Sequence, residues 1–92
     1  MLENYIENLL KNKNYDFSNL KINSIKEDND FYVIYFASNV STTGRQTVYK
    51  INKNNSNAEE VYLPNEDNFE FLDYFENCNF VNIPAKYKGK YF

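Results

Sequence analysis

The sequence predicts an α+β fold, in which a four-stranded antiparallel meander is bracketed by an N-terminal and a C-terminal helix. Three observations carry this prediction: apolar residues recur at helical spacing near both ends, four β-rich runs lie between them, and polar turn segments separate those runs. The 92 residues form one domain, 1–92, in which 86–92 is a short basic and aromatic tail. Nine Tyr and eight Phe compensate for the thin core of so short a chain.

Two amphipathic segments are predicted as helices, the first over residues 2–12 and the second over 66–77. The apolar stripe of the first segment has helical spacing: Leu2, Tyr5, Ile6, Leu9 and Leu10. In the second segment Asn65 is a suitable N-cap, and Glu66 and Asp67 lie in the first turn, where the helix dipole favours negative charge. We expect both helices on the same face of the sheet.

The strands are predicted from runs of β-branched and aromatic residues between turn signals. The runs are LKINSIK at 20–26, FYVIYFA at 31–37, TVYKI at 47–51 and AEEVYL at 58–63. In the third run, Val48 and Lys50 are expected on one side and Tyr49 and Ile51 on the other. A short extended piece at 80–83 follows the second helix.

The run FYVIYFA lacks the alternation of apolar and polar residues that is typical of a half-exposed strand. It is therefore predicted as a central strand that needs cover on both faces. With both helices on one face, we expect a second molecule to cover the other.

Composition argues against enzymatic chemistry. The chain contains no histidine, which removes the usual general base near neutral pH and the commonest zinc ligand. The stretch 41–45, STTGR, has the hydroxyls and glycine of a phosphate cradle, but it joins two strands and fits a hairpin loop better. The calcium-loop pattern is also missing. We predict no catalytic residue, no cofactor and no metal site.

The single cysteine, Cys78, cannot form an intramolecular disulfide, and the acidic N-terminal segment does not resemble a signal peptide. Since no apolar run approaches the length of a membrane span, a reduced, cytoplasmic protein without a membrane partner is predicted.

Charge is distributed unevenly along the chain. Residues 54–85 contain seven acids and no base, whereas residues 1–53 contain six acids and seven bases. The acidic segment fits either a solvated helix face or a surface that meets a basic partner. If a partner binds there, the contacting residues are predicted to be Glu59, Glu60, Tyr62, Glu66, Glu70, Asp73 and Tyr74.

The tail at 86–92 interleaves lysine with aromatic residues, which are the ingredients of a contact with single-stranded nucleic acid. The acidic segment behind it would repel phosphates, so we predict no direct binding of nucleic acid. The tail is expected to pack back on the acidic second helix.

Three stretches carry a resemblance to a known family: FYVIYFAS, VYKINKNNSNAEEV and EDNFEFLDYF. Over residues 20–76 the chain resembles small bacterial immunity proteins of the YrhB-like class. In those proteins an aromatic strand is followed by a strand that ends in a turn, and then by a closing amphipathic helix. The resemblance implies a stoichiometric blocker of a toxin, with no active site of its own.

These observations predict a small, non-catalytic, protein-binding inhibitor, either of the immunity type or a phage-encoded anti-defence protein. Its acidic and aromatic surface would occlude a basic, nucleic-acid-handling target such as a toxin or defence nuclease. The alternative is a homodimeric structural or interaction protein that stacks through its open sheet face. An enzyme would need a deep pocket holding two carboxylates with displaced pKa values.

Overall fold

The computed structural model of the chain describes residues 2–38, 47–61 and 69–92, with only the backbone described at residues 69–72. The helices and strands of these residues are α1 (Leu2–Leu10), β1 (Leu20–Glu27), β2 (Phe31–Ser38), β3 (Thr47–Asn52), β4 (Ala58–Val61), α2 (Phe69–Asn77) and β5 (Asn79–Val81). The predicted loop around residues 41–45 and the start of the predicted second helix lie outside the described residues.

The strands form one antiparallel sheet in the order β4-β3-β2-β1-β5. The α+β class is confirmed, but the predicted four-stranded meander is one strand short. The extended piece predicted at 80–83 is a fifth strand, β5, which pairs with the end of β1 through Ile25↔Val81, Lys26↔Phe80 and Glu27↔Asn79. β2 is the central strand, as predicted.

One face of the sheet, the α1 face, is covered by α1. Ile6 and Leu9 of this helix are buried against β1, β2 and β3, and the Tyr5 ring lies 5.2 Å from that of Tyr32. Below them Phe17 packs on Phe36, with ring centroids 5.2 Å apart. The apolar residues that recur at helical spacing near the N-terminus therefore form part of the main core.

The opposite face, the α2 face, is covered by α2. The Phe75 ring lies 5.2 Å from that of Tyr35, and the Lys50 ammonium of β3 lies 4.5 Å from the ring centroid of Tyr74. The prediction that both helices share one face is therefore wrong. An apolar stripe shows that one side of a helix is buried, but it does not show which face of the sheet the helix covers.

The strand FYVIYFA is accordingly covered on both sides by its own chain. Val33, on the α2 face, and Ile34, on the α1 face, are each 0% exposed. The expectation that a second molecule covers the other face is wrong for this strand. The alternative of two sheets stacking through an open face of β2 loses its structural basis.

A bulge in β1 sets which of its residues face each helix. The register against β2 shifts between Ile22 and Ser24, so that Ile22 and Ile25, three residues apart, both join the core on the α1 face. Beyond the bulge, Lys26 pairs with Val33 and therefore lies on the α2 face. In β3, Tyr49 and Ile51 join the α1-face core, whereas Lys50 reaches α2, which confirms the predicted alternation.

The turn between β3 and β4 is built from asparagine and serine. Asn52 and Ser56 close it through a backbone hydrogen bond of 2.8 Å, and the side chain of Asn52 accepts a second bond from the N–H of Asn54. Ser56 has φ 61°, a left-handed conformation that glycine adopts most easily. The short polar side chains thus support a turn without glycine.

The tail contacts the start of β1 and α1, and not the second helix as expected. The backbone of Phe92 pairs with Asn19 and Leu20 at the start of β1, and its ring approaches Phe36. Lys86 forms a 3.1 Å ion pair with Glu7 of α1. The expectation that the tail packs on the acidic second helix is therefore wrong, because Tyr87 of the tail is buried in the core on the α1 face and Phe92 lies beside Phe36.

Candidate protein-binding surface

The structure separates the acidic residues predicted to contact a partner. On β4 both Glu59 and Glu60 are exposed, but they point to opposite faces of the sheet: Glu59 is the cross-strand neighbour of Lys50 and Glu60 that of Tyr49. Only Glu59 therefore shares the α2 face. Asp73 is exposed on α2.

The structure describes the other predicted contact residues to different extents. Tyr62 and Glu66 lie outside the described residues, and Glu70 lies in α2 with only its backbone described. Tyr74 is half-buried and its hydroxyl is buried. Tyr74 therefore serves to seat α2 on the sheet, and its hydroxyl is not presented to a partner.

The Tyr74 hydroxyl belongs to a small polar cluster under α2. Burial raises the pKa of Tyr74, and its neighbours Asp28 and Cys78 raise it further. The Cys78 thiol donates to the carbonyl of Tyr74 at 3.3 Å. Burial raises the pKa of Asp28, but the Tyr74 hydroxyl, the N–H groups of Asp30 and Phe31, and Lys50 together outweigh it and hold that pKa below its ordinary value of 3.8.

This lowered pKa predicts a pH-dependent contribution of Asp28 to stability. The substitution Asp28→Asn keeps an oxygen that accepts from the N–H groups of Asp30 and Phe31, which lie 2.8 and 2.7 Å away, but removes the charge. Because the folded pKa is lowered, the charge stabilises the fold above the ordinary carboxyl pKa, and this contribution is lost as pH falls through the folded value. We expect Asp28→Asn to reduce the free energy of unfolding at pH 7 and to match the wild type in strong acid.

Urea unfolding from pH 7 downwards measures this difference. Asp30→Asn, in the same turn and exposed, is the matched control and should have a smaller effect. A deficit of Asp28→Asn that stays constant down to the lowest pH would contradict the assignment, because the contribution of the charge disappears once the carboxylate is protonated.

Two lysines point from the sheet into the α2 face. Lys26 of β1 is 7% exposed, and its ammonium donates to the carbonyl of Phe75 at 3.1 Å. The same nitrogen lies 4.4 Å from the ring centroids of Phe75 and Phe80. Lys26 therefore provides, from the sheet, the positive charge that the C-terminal end of α2 favours and that its own last turn lacks.

Lys50 contacts α2 through the ring of Tyr74. Its ammonium lies 4.1 Å from the ring centroid of Phe31 and 4.5 Å from that of Tyr74. Cation–π contacts of this kind stabilise a partly desolvated ammonium. The two inward lysines are thus structural, and α2 turns the exposed carboxylates of Asp73 and Glu76 outwards.

A groove of about 420 Å³ lies between β5 and the C-terminal end of α2. We call it the β5 groove; its walls include Ser24, Lys26, Tyr35, Phe75, Glu76 and Phe80. Phe80 is 77% exposed, the largest exposure among the large apolar side chains of the described residues. An aromatic ring, an exposed carboxylate and the negative end of a helix dipole therefore meet at one edge of the sheet.

Lys26, Glu76 and Phe80 are not among the site residues predicted from the sequence. In the run LKINSIK, Lys26 follows Ile25 as a polar residue follows an apolar one in a half-exposed strand, and the β-bulge that turns it inwards leaves no clear sequence signal. Phe80 had a usable signal, because the only apolar residues between Asn79 and Asn82 are Phe80 and Val81, a run too short for a strand buried on both faces.

Comparison with known proteins finds no matching family model, no matching curated protein and no matching solved structure. Within the described part of the chain, no group of three or more His, Cys, Asp or Glu residues is arranged to hold a metal ion. Neither described helix has the length and apolar composition needed to cross a membrane.

Proposed function

We propose that the protein is a small, non-catalytic inhibitor that binds a basic protein target through the outer surface of α2 and its neighbouring strands. The observation that carries the proposal is the combination, on the α2 face, of exposed carboxylates with an exposed aromatic ring. Glu59, Asp73 and Glu76 are exposed, Phe80 is 77% exposed, and residues 54–85 contain no lysine or arginine. Aromatic anchors combined with charge complementarity are typical of protein interfaces.

Within this proposal the target is a nucleic-acid-handling protein, because such proteins carry basic surfaces that an acidic protein can occlude. A toxin nuclease fits the resemblance to immunity proteins, and a host defence nuclease fits a phage-encoded inhibitor. The free, buried Cys78 is consistent with a reduced, cytoplasmic location, which we include in the proposal. Inhibition is expected to titrate to one inhibitor per target, as a stoichiometric blocker requires.

Charge reversal on α2 tests the proposed function. Asp73→Lys is expected to slow association with the target by about threefold while changing dissociation less, because a charge at an interface mainly steers encounter. Raised salt should have the same effect on the wild type. The target is obtained by affinity purification from the source cells, and both rates are measured by surface plasmon resonance.

The matched control is Glu3→Lys, which makes the same change of charge at an exposed residue of α1. This variant is expected to associate at nearly the wild-type rate. Equal slowing by Asp73→Lys and Glu3→Lys would indicate a general effect of net charge and would contradict binding through α2. Binding that is insensitive to salt would contradict the electrostatic part of the proposal.

A further inference from the structure

The β5 groove has the features of a site for a positively charged side chain. Its inner side already holds one cation: the Lys26 ammonium lies 4.4 Å from the ring centroids of Phe75 and Phe80 and donates to the Phe75 carbonyl. Because Phe80 is 77% exposed, the side of its ring that faces away from Lys26 is open to solvent. The exposed Glu76 lines the same groove.

Charge complementarity selects the occupant. A cation on the outer side of Phe80 would contact the negative face of the ring, and Glu76 is the carboxylate among the residues that line the groove. Lys26 does not compete for the carboxylate, because its ammonium is held on the inner side by a backbone carbonyl. A guanidinium is planar and stacks on a ring while it donates two hydrogen bonds to a carboxylate, so arginine fits better than lysine.

We propose that the β5 groove binds an arginine side chain from an extended segment of the protein target, stacked on the outer face of Phe80 and paired with Glu76. The inference rests on the proposed function, since it takes the partner to be a basic protein. It also specifies where that partner binds and which of its side chains enters the β5 groove.

Peptide binding tests the groove without the natural target. The probes are a short capped peptide with one arginine flanked by threonine and valine, and the same peptide with citrulline, which has nearly the same shape and no charge. Binding is followed by NMR titration of ¹⁵N-labelled protein. The arginine peptide is expected to bind about fivefold or more tightly than the citrulline peptide, with shifts at residues 75–77 and Asn79–Val81.

Variants separate the contributions of the ring and the carboxylate. Phe80→Leu, which keeps an apolar side chain but removes the ring, is expected to weaken binding of the arginine peptide about two- to fivefold. Phe80→Tyr, which keeps a ring, is expected to retain binding. Glu76→Gln is expected to weaken it by a similar factor while leaving the citrulline peptide unaffected. Glu59→Gln is the matched control, because Glu59 is also exposed on the α2 face but lies on β4.

Three outcomes overturn the proposal: equal binding of the two peptides, shifts confined to α1 or the tail, and shifts that appear on concentrating the protein alone, which would identify a second copy as the occupant. Failure here is distinguishable from failure of the proposed function. If Asp73→Lys slows association with the captured target while Phe80→Leu and Glu76→Gln do not, the inhibitor function stands and the groove is not its docking site.

Discussion

Replacing Phe36 by alanine is expected to lower the free energy of unfolding by about 3–5 kcal/mol, which is a large fraction of the stability of a domain of this size. Phe36 is 1% exposed at the centre of the aromatic cluster on the α1 face. Its ring lies 5.2 Å from that of Phe17, 5.6 Å from that of Tyr49 and 6.3 Å from that of Phe92. The substitution removes the contacts of all three rings and leaves a cavity between strand, loop and tail.

Chemical unfolding monitored by circular dichroism measures this loss, with Phe80→Ala as the matched control. The same chemical change at Phe80 removes an exposed ring and one contact with Lys26, so its effect should stay below about 1 kcal/mol. Similar losses in the two variants would contradict the division between a structural cluster around Phe36 and an outward ring at Phe80.

Replacing Lys26 by alanine is expected to lower the free energy of unfolding by about 2 kcal/mol. A hydrogen bond from a charged donor contributes about 1.5–3 kcal/mol, and the contacts with the two rings add to it, whereas relief of the desolvation of the ammonium offsets part of the loss. The loss should be accompanied by faster hydrogen exchange in α2, because Lys26 holds the carbonyl of Phe75 in its last turn.

Lys21→Ala is the control for this prediction. Lys21 lies on the same strand, is half-exposed, and has its ammonium 5.3 Å from the Tyr91 ring centroid, so its loss should have a much smaller effect. Lys26→Met, which keeps the length of the side chain, should fall between the wild type and Lys26→Ala. The role of Lys26 as an anchor of α2 fails if Lys26→Ala and Lys21→Ala unfold alike.

Much of the fold can be predicted from local patterns of apolar, aromatic and β-branched residues in the sequence. The spacing of the apolar residues predicts α1, although the helix ends at Leu10 and not at residue 12 as predicted. Asn12 lies beyond the helix, and its side chain accepts a hydrogen bond from the N–H of Asn14. Aromatic and β-branched runs predict β1 to β4 close to their observed bounds. β5 is harder to predict, because its three residues are too few to show alternation and owe their conformation to pairing with β1.

The position of α2 depends on long-range packing that the sequence pattern does not encode. The continuous apolar run in β2 was correctly taken to mean that both faces are covered. It could not show that α2 provides the second cover, with Lys26 and Lys50 as the polar groups that meet it. Inward lysines are unusual, and they become favourable here only because aromatic rings and a helix carbonyl surround them.

The structure shows where the predicted acidic residues lie, and the sequence did not predict that arrangement. The acidic segment does place Asp73 and Glu59 on the exterior of the α2 face, yet Glu60 points to the other face, because neighbouring residues of a strand alternate. Tyr74 was chosen as an exposed anchor and is instead a packing residue. The exposed aromatic ring of this face is that of Phe80, which lies on the edge strand β5.

The aromatic core and the proposed binding residues lie on different faces of the sheet. The α1 face contains most of the buried aromatic residues, including Tyr87 of the tail, whereas Lys26 and Lys50 contact α2 on the other face. If the proposed function holds, substitutions at Asp73, Glu76 or Phe80 are expected to alter binding with little effect on folding.

An NMR footprint of the captured target on the ¹⁵N-labelled protein shows which face of the sheet the target contacts. If the protein binds its target through the α2 face, the amide signals of residues 73–77 and Asn79–Val81 will shift or broaden at one equivalent of target, and those of Leu2–Leu10 will not. A footprint centred on α1 and the tail, with α2 and β5 unchanged, would contradict the account.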